Sequence, residues 1–274
     1  MPNKWTYRWS KLKLVVKHYL NLVYNSLCNR VVARQKKDPK SIPIIIISYN
    51  QLTHIKQLVN WLLENYYKNI IIVDNKSTYP PLMEYLRSIE GPVKVEYLKK
   101  NEGHLAFWKN KNIFKKYSKG YYVVTDADIL PIDECPGDMM WVLMTLLDKA
   151  YDRTKVGLSL KIDDIPEHNP NKKAVENWEK QFWKSECHSK AYKAEIDTTW
   201  AMYRPGYKYK LKHFTKAWRS KPPYMARHEG WYVDTGNLTE EQKYYMQTAN
   251  ESASWNIDSN GNLVNTVHKD LYND

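Results

Sequence analysis

The stretch that decides the architecture is Gly120-Tyr121-Tyr122-Val123-Val124-Thr125-Asp126-Ala127-Asp128. Its aromatic and β-branched run has no polar alternation, which is the pattern of a strand buried on both faces of a parallel sheet. It ends in two acids one residue apart, and parallel sheets place their ligands at the carboxyl ends of their strands. Working back from it, residues 42–48 form a second such run around Ile44-Ile45-Ile46-Ile47. Residues 69–74 form a third that ends in Asp74, and residues 93–98 a fourth. Between them lie segments with helical spacing. The first is residues 53–66, where Ile55, Leu58, Val59 and Leu62 share one side; the second opens at Pro80-Pro81; the third carries Leu105, Trp108, Ile113, Phe114 and Tyr117. This strand–helix alternation predicts an α/β fold with a mostly parallel, Rossmann-like central sheet, flanking helices and right-handed crossovers.

The other half is less regular. A helix is expected over residues 138–150, short strands over 156–160 and 198–203, a helix over 171–184 and a late helix from Thr239 to about Met246. From Tyr207 the chain is basic, aromatic and turn-rich, which suits a binding wall. Residues 1–40 read as a basic amphipathic helical extension, joined by a charged segment at 35–41 to one domain over 41–274. Within that domain, 41–130 is the regular half and 131–274 the less regular one.

The chain has 274 residues, enough for a substantial core, with 43% hydrophobic and 26% charged residues. Disordered and disulfide-scaffold classes are excluded on that composition. Cys28, Cys135 and Cys187 are far apart, show no metal spacing and suggest a reducing compartment. The net charge of +12 favours anionic partners. No nucleic-acid-binding motif accompanies it, so no nucleic-acid partner is expected.

Much of the basic charge lies in the extension, where Lys4, Arg8, Lys11, Lys13, Lys17, Arg30, Arg34, Lys36, Lys37 and Lys40 face one acid, Asp38. Leu12, Val16, Tyr19, Val23 and Leu27 recur at helical spacing among them. No apolar run reaches the ~18 residues of a spanning helix. Basic residues also interrupt the stretch, unlike a cleaved leader. The pattern predicts a peripheral contact with an anionic membrane surface, at the cytoplasmic face of the cell membrane. The alternatives are a helix packed on its own domain or pairing two copies into a homodimer. Two sequons, at Asn237 and Asn250, do not by themselves support secretion.

Two carboxylates as close as Asp126 and Asp128 repel unless a cation or a proton offsets them. Oxygen ligands suit Mg2+ or Mn2+, which also grip a diphosphate. Asp74 ends its strand where it can accept hydrogen bonds from a base or ribose. Ser48, Tyr49 and Asn50 follow the first strand into the same crevice. No P-loop and no dinucleotide glycine fingerprint occurs, which sets aside kinase, GTPase and nicotinamide chemistry.

Four segments in order, Ile44-Ile-Ile-Ile-Ser-Tyr-Asn50, Val73-Asp-Asn-Lys-Ser-Thr78, Asn101-Glu-Gly103 with Ala106, and Asp126-Ala-Asp128, resemble those of GT-A-fold glycosyltransferases. They are similar to family 2, which includes bacterial capsule and lipopolysaccharide enzymes. The resemblance covers residues 42–130 well and the remainder loosely. It implies a metal-dependent transfer, inverting in outcome, from a nucleotide-diphosphate sugar (a UDP-sugar favoured) to a glycan or lipid-linked acceptor in surface-polysaccharide synthesis. It makes 41–274 the catalytic domain, with 41–130 the nucleotide-sugar half and 131–274 the acceptor half, and it places the donor at Ser48, Tyr49, Asn50, Asp74, Asn101, Gly103, His104, Asp126 and Ala127, and Mn2+ or Mg2+ at Asp126, Asp128 and a late histidine, His228. The base is expected at Asp197, with Glu229 the other candidate and Glu195 close behind. Arg227 and the lysines at 208, 210 and 212 are candidates for phosphate contact, and Trp200, Trp231 and Tyr232 for sugar stacking. A nucleotidyltransferase, or a non-catalytic membrane- or glycan-binding protein on the same fold, remains the competing reading.

Overall fold

The structure, a computed structural model, describes residues 4–249, with side chains from residue 8 onward. The sequon at Asn250 lies outside the described residues. In chain order the elements are α1 (Lys4–Cys28), α2 (Arg30–Lys37), β1 (Ile44–Ser48), α3 (Leu52–Glu64), β2 (Ile70–Asp74), α4 (Pro80–Ser88), β3 (Lys94–Tyr97), α5 (Ala106–Lys109), α6 (Lys111–Tyr117), β4 (Tyr122–Asp126) and β5 (Ile129–Pro131). Then come α7 (Met139–Lys149), β6 (Lys155–Gly157), β7 (Ser159–Leu160), α8 (Lys172–Lys180), β8 (Glu186–His188), β9 (Ala191–Tyr192), β10 (Ala201–Tyr203), β11 (Ala217–Ser220), β12 (Met225–His228) and α9 (Glu240–Thr248).

A nine-stranded sheet runs β3-β2-β1-β4-β10-β6-β11-β9-β8. The first four strands are parallel, as their unalternating hydrophobicity requires. β10 then enters antiparallel to both β4 and β6, making the sheet mixed. Its three residues are too short a signal for direction to be read from sequence. The run expected as one strand at 156–160 divides at Leu158: β6 joins the large sheet, and β7 joins a three-stranded sheet in the order β5-β12-β7.

The isoleucine run of β1 serves two cores. Ile44 and Ile46 pack with α3, α4 and α7 through Leu58, Leu62, Leu82, Leu86 and Leu143, whereas Ile45 and Ile47 pack with Phe107 and Ile113 of α5 and α6. Strand side chains alternate between faces, so a sheet covered on both sides needs every position apolar. The third helical segment is two helices, because Asn110 stops α5 and its side chain accepts from the Ile113 N–H to cap α6.

The segment at 35–41, expected as a linker, is built into the fold. Gln35 is buried, donates to the Tyr121 carbonyl and accepts from the Tyr121 N–H. Gly120 is required there, since a Cβ would collide with the Gln35 amide. Val32 is also fully buried. By contrast α1 leans on the domain lightly: His18 bonds the Asp148 carbonyl at 2.7 Å, and Asn29 Nδ2 donates to the Lys119 carbonyl at 2.8 Å. Its Leu12, Val16, Tyr19, Val23 and Leu27 are exposed, Leu27 to 80%. No described helix is long and apolar enough to cross a membrane. Cys28, Cys135 and Cys187 are free thiols.

Candidate active site

Register brings the ends of the parallel strands level. Ile47 of β1 pairs with Asp126, and Ser48 with Asp74. The crevice above these ends is built by the loops that follow. The Asn50 carboxamide oxygen accepts from the N–H groups of Thr78 and Tyr79, and its own N–H donates to Ser77 Oγ. Asn75 ties the next loop, accepting from the Glu102 N–H at 2.7 Å and donating to the Gly103 carbonyl at 3.2 Å. Gly103 takes a left-handed φ of +68°, which glycine adopts without strain.

Asp126 and Asp128 flank the buried Ala127 at the exit of β4. Thr198 Oγ1 donates to Asp126 Oδ2 at 2.7 Å. Burial first, and then the charge of Asp128, pushes the Asp126 carboxyl up to about 8. β12 runs antiparallel to β5, opposing His228 to Ile129, so the imidazole stands next to Asp128 with Nδ1 3.7 Å from Oδ2. The Glu229 N–H closes the turn on the Asp128 carbonyl at 2.8 Å. The His228 ring stacks on Trp231, with centroids 5.0 Å apart and planes inclined by 12°.

These groups open on a cavity of about 160 Å³. Of the residues expected from sequence, Tyr49, Asn101, Gly103, His104, Asp126, Ala127, Asp128 and His228 line it. Ser48, Asn50, Asp74, Asp197 and Glu229 stand behind or beside that lining. Ser48 is buried in β1, and Asn50 braces the loops as above. Asp74 is buried, its Oδ2 accepting from the Ser77 N–H while Oδ1 has no hydrogen-bond partner, and burial raises its carboxyl. Asp197 is exposed next to Thr198, within electrostatic reach of His104 and Asp126. Glu229 is half-buried; burial raises its carboxyl, with His54 the largest opposing charge.

Several expectations for the second half are corrected. Trp200 and Trp231 are core residues, 0% and 2% exposed, and present no face to a sugar. Tyr232 donates its hydroxyl to Asp164, and the Arg227 guanidinium is held by the same carboxylate at 2.6 Å and 2.9 Å. Lys208 lines a different groove.

Four features were not anticipated. Thr198 and His54 both line the cavity; His54 Nδ1 is buried without a hydrogen-bond partner. Lys155 is fully buried beneath it. Its amine donates to the Asp197 carbonyl and to the Tyr203 hydroxyl at 3.2 Å, and lies 3.6 Å over the Phe214 ring. Burial pulls that amine down to about 7, with Asp197 and Asp126 opposing the fall. A polar residue opening an otherwise apolar strand, Lys155-Val156-Gly157, is the available sequence signal. Finally, α9 roofs the crevice. Tyr49 Oη donates to the Thr248 carbonyl at 2.9 Å and Asn50 Nδ2 to Thr248 Oγ1 at 2.9 Å. Glu241 accepts from Thr53 N and Oγ1, and Tyr244 Oη donates to Thr78. Tyr245, half-buried, lines the cavity together with both Asp126 and Asp128.

No preformed cage of three or more His, Cys, Asp or Glu side chains occurs among the described residues. The donor set is nevertheless suited to Mn2+ or Mg2+: two carboxylates held close enough to raise one of them, with an imidazole next to the second. A cation would offset a repulsion that the fold otherwise leaves to protonation.

Residues 44–205 match the profile of Glycosyl transferase family 2. That span is more than half of the chain, and the chain belongs to this family. No curated protein matches it. Among solved structures, it is similar to a mannosyltransferase, PcManGT from Pyrobaculum calidifontis, in complex with GDP-Man and Mn2+ (12% identity over 96% of this chain and 83% of that one, TM-score 0.42). It is also similar to a 4-diphosphocytidyl-2C-methyl-D-erythritol synthase from Anaerococcus prevotii (14% identity, 56% and 79%, TM-score 0.33). A third is a putative glucose-1-phosphate thymidylyltransferase from Bacillus anthracis in complex with a sucrose (12%, 84% and 82%, TM-score 0.34).

Proposed function

We propose that this family 2 glycosyl transferase moves a sugar from a nucleotide-diphosphate donor, a UDP-sugar by preference, to a glycan or lipid-linked hydroxyl in surface-polysaccharide synthesis. The observation that carries the reading is the pair Asp126 and Asp128 at the end of β4, with His228 3.7 Å from the second acid, at the mouth of a cavity between loops. Asp126, Asp128 and His228 would hold a Mn2+ or Mg2+ ion, whose charge would neutralise the leaving diphosphate.

The chain's own groups supply the rest. Asp74, whose buried Oδ1 has no hydrogen-bond partner, would serve the ribose or base end from behind the lining, and Asn101, Gly103 and His104, which line the cavity, the sugar-diphosphate end. Asp197, beside Thr198, takes the acceptor proton from the side away from the leaving group, so the transfer inverts configuration. Glu229 is the second candidate; burial raises its carboxyl above the ordinary value, which makes it the stronger base.

A cavity of about 160 Å³ is smaller than the ~300–1,000 Å³ typical of ligand sites. Donor entry therefore requires α9 to withdraw from Tyr49, Asn50, Thr53 and Thr78. The exposed apolar face of α1, with Arg8, Lys11, Lys13 and Lys17 around it, supports peripheral binding to an anionic membrane surface at its cytoplasmic face.

The test is a thermal-shift panel of nucleotide sugars with and without Mn2+. Stabilisation by one donor only when the metal is present is expected. No donor shifting the transition under either condition would overturn the reading.

A further inference from the structure

Beside α6, away from the strand ends, lies an open groove of about 830 Å³. Its floor is Leu105, Trp108, Phe114 and Tyr209, all partly exposed. The floor is fixed from behind: Tyr209 packs on Phe214 at 4.9 Å between centroids, Trp108 Nε1 donates to Tyr122 Oη at 3.3 Å, and the Gly206 N–H donates to the Ser118 carbonyl at 2.8 Å. The rim is lysine, and no acid lines the groove. Lys109 is engaged by Glu102, but Lys111, Lys115, Lys119 and Lys208 have no acidic partner among the described residues.

An apolar floor under unpaired lysines is complementary to an anionic amphiphile. The rings take hydrocarbon, and the ammonium groups on flexible stems take phosphate. The neighbouring element selects among such ligands. Asn29, directly after α1, bonds the carbonyl of the rim residue Lys119, so the groove adjoins the helix whose apolar residues face solvent. We infer that the groove binds the phosphate headgroup and upper acyl chain of an anionic phospholipid, giving the enzyme a second membrane contact next to α1. This rests on the membrane-facing part of the reading above and is independent of the donor site.

Two contacts on one surface do what one helix cannot. A lone amphipathic helix leaves the domain free to pivot about its lightly held junction. A second lipid contact at α6 fixes which face of the sheet turns toward the bilayer.

The experiment is vesicle co-sedimentation of the full chain with phosphatidylglycerol–phosphatidylcholine mixtures against phosphatidylcholine alone. The variants are a Lys115→Glu/Lys119→Glu/Lys208→Glu triple and, separately, Leu20→Ser/Leu27→Ser in α1. All these positions are exposed, so unchanged thermal transitions are expected. The proposal expects at least tenfold weaker binding to anionic vesicles for the triple variant with α1 intact. It also expects quenching of tryptophan emission by brominated phosphatidylglycerol, in part lost in Trp108→Phe. Wild-type binding by the triple variant overturns the groove. If the α1 variant then loses binding, the helix anchor stands alone; if it too binds normally, both membrane readings fall while the donor site is untouched. Emission shifted by a soluble acidic oligosaccharide but not by anionic vesicles overturns the lipid as occupant.

Discussion

Thr198 Oγ1 lies 2.7 Å from Asp126 Oδ2 and donates to it, joining the second half of the chain to the end of β4. The next residue back, Asp197, gives its carbonyl to the buried Lys155. A single turn thus holds the proposed base on one side and orients a proposed metal ligand on the other.

Thr198→Val removes the one hydrogen bond that favours the ionised form of Asp126. Loss of such a bond is worth about 1 kcal/mol, roughly a fivefold change. Calorimetry should show Mn2+-dependent donor affinity reduced by about that factor. Asp128→Ala should abolish it, and unchanged affinity would remove Asp128 from the metal site.

Lys155→Met keeps the volume of the buried side chain and deletes its donor. The Asp197 carbonyl is left without that partner, at a cost of about 1–3 kcal/mol in stability. Transfer should fall at least tenfold while donor binding, read by the metal-dependent thermal shift, stays near wild type. Equal losses in both would assign Lys155 to packing alone.

Asp197→Asn should preserve donor binding and remove transfer. If it turns over at the wild-type rate and Glu229→Gln does not, the base is Glu229.

Donor binding should release α9. Hydrogen exchange across residues 240–248 is expected to rise on adding donor and Mn2+. Glu241→Gln and Tyr244→Phe, which weaken the clasps on Thr53 and Thr78, should tighten apparent donor affinity. Unaltered exchange in the loaded enzyme would contradict the withdrawal.

The seating of α1 should depend on pH. Burial first, and then Arg204, lowers the His18 imidazole below its ordinary value of 6.5, against the hydrogen bond to Asp148. The unfolded chain therefore binds the proton more readily, and stability falls as pH drops through 6.5 toward the folded-state value. The thermal transition of His18→Gln should fall less steeply than wild type between pH 7.5 and 5.5. Parallel slopes would exclude His18.

The sequence by itself determined the parallel half of the sheet and the strand-end acids. Uninterrupted runs such as Ile44-Ile-Ile-Ile have one stable use, burial on both faces, and whatever follows such a strand emerges at its carboxyl end. Tertiary structure alone decided what meets those acids. His228 reaches Asp128 because β12 pairs with β5, Thr198 reaches Asp126 because β10 inserts next to β4, and α9 closes over Tyr49 from nearly 200 residues away. These are pairings between short segments far apart in the chain, where neither periodicity nor composition marks the partner. The same holds for Trp200 and Trp231, whose chemistry suits a sugar face as well as a core, and for which only packing chose the core.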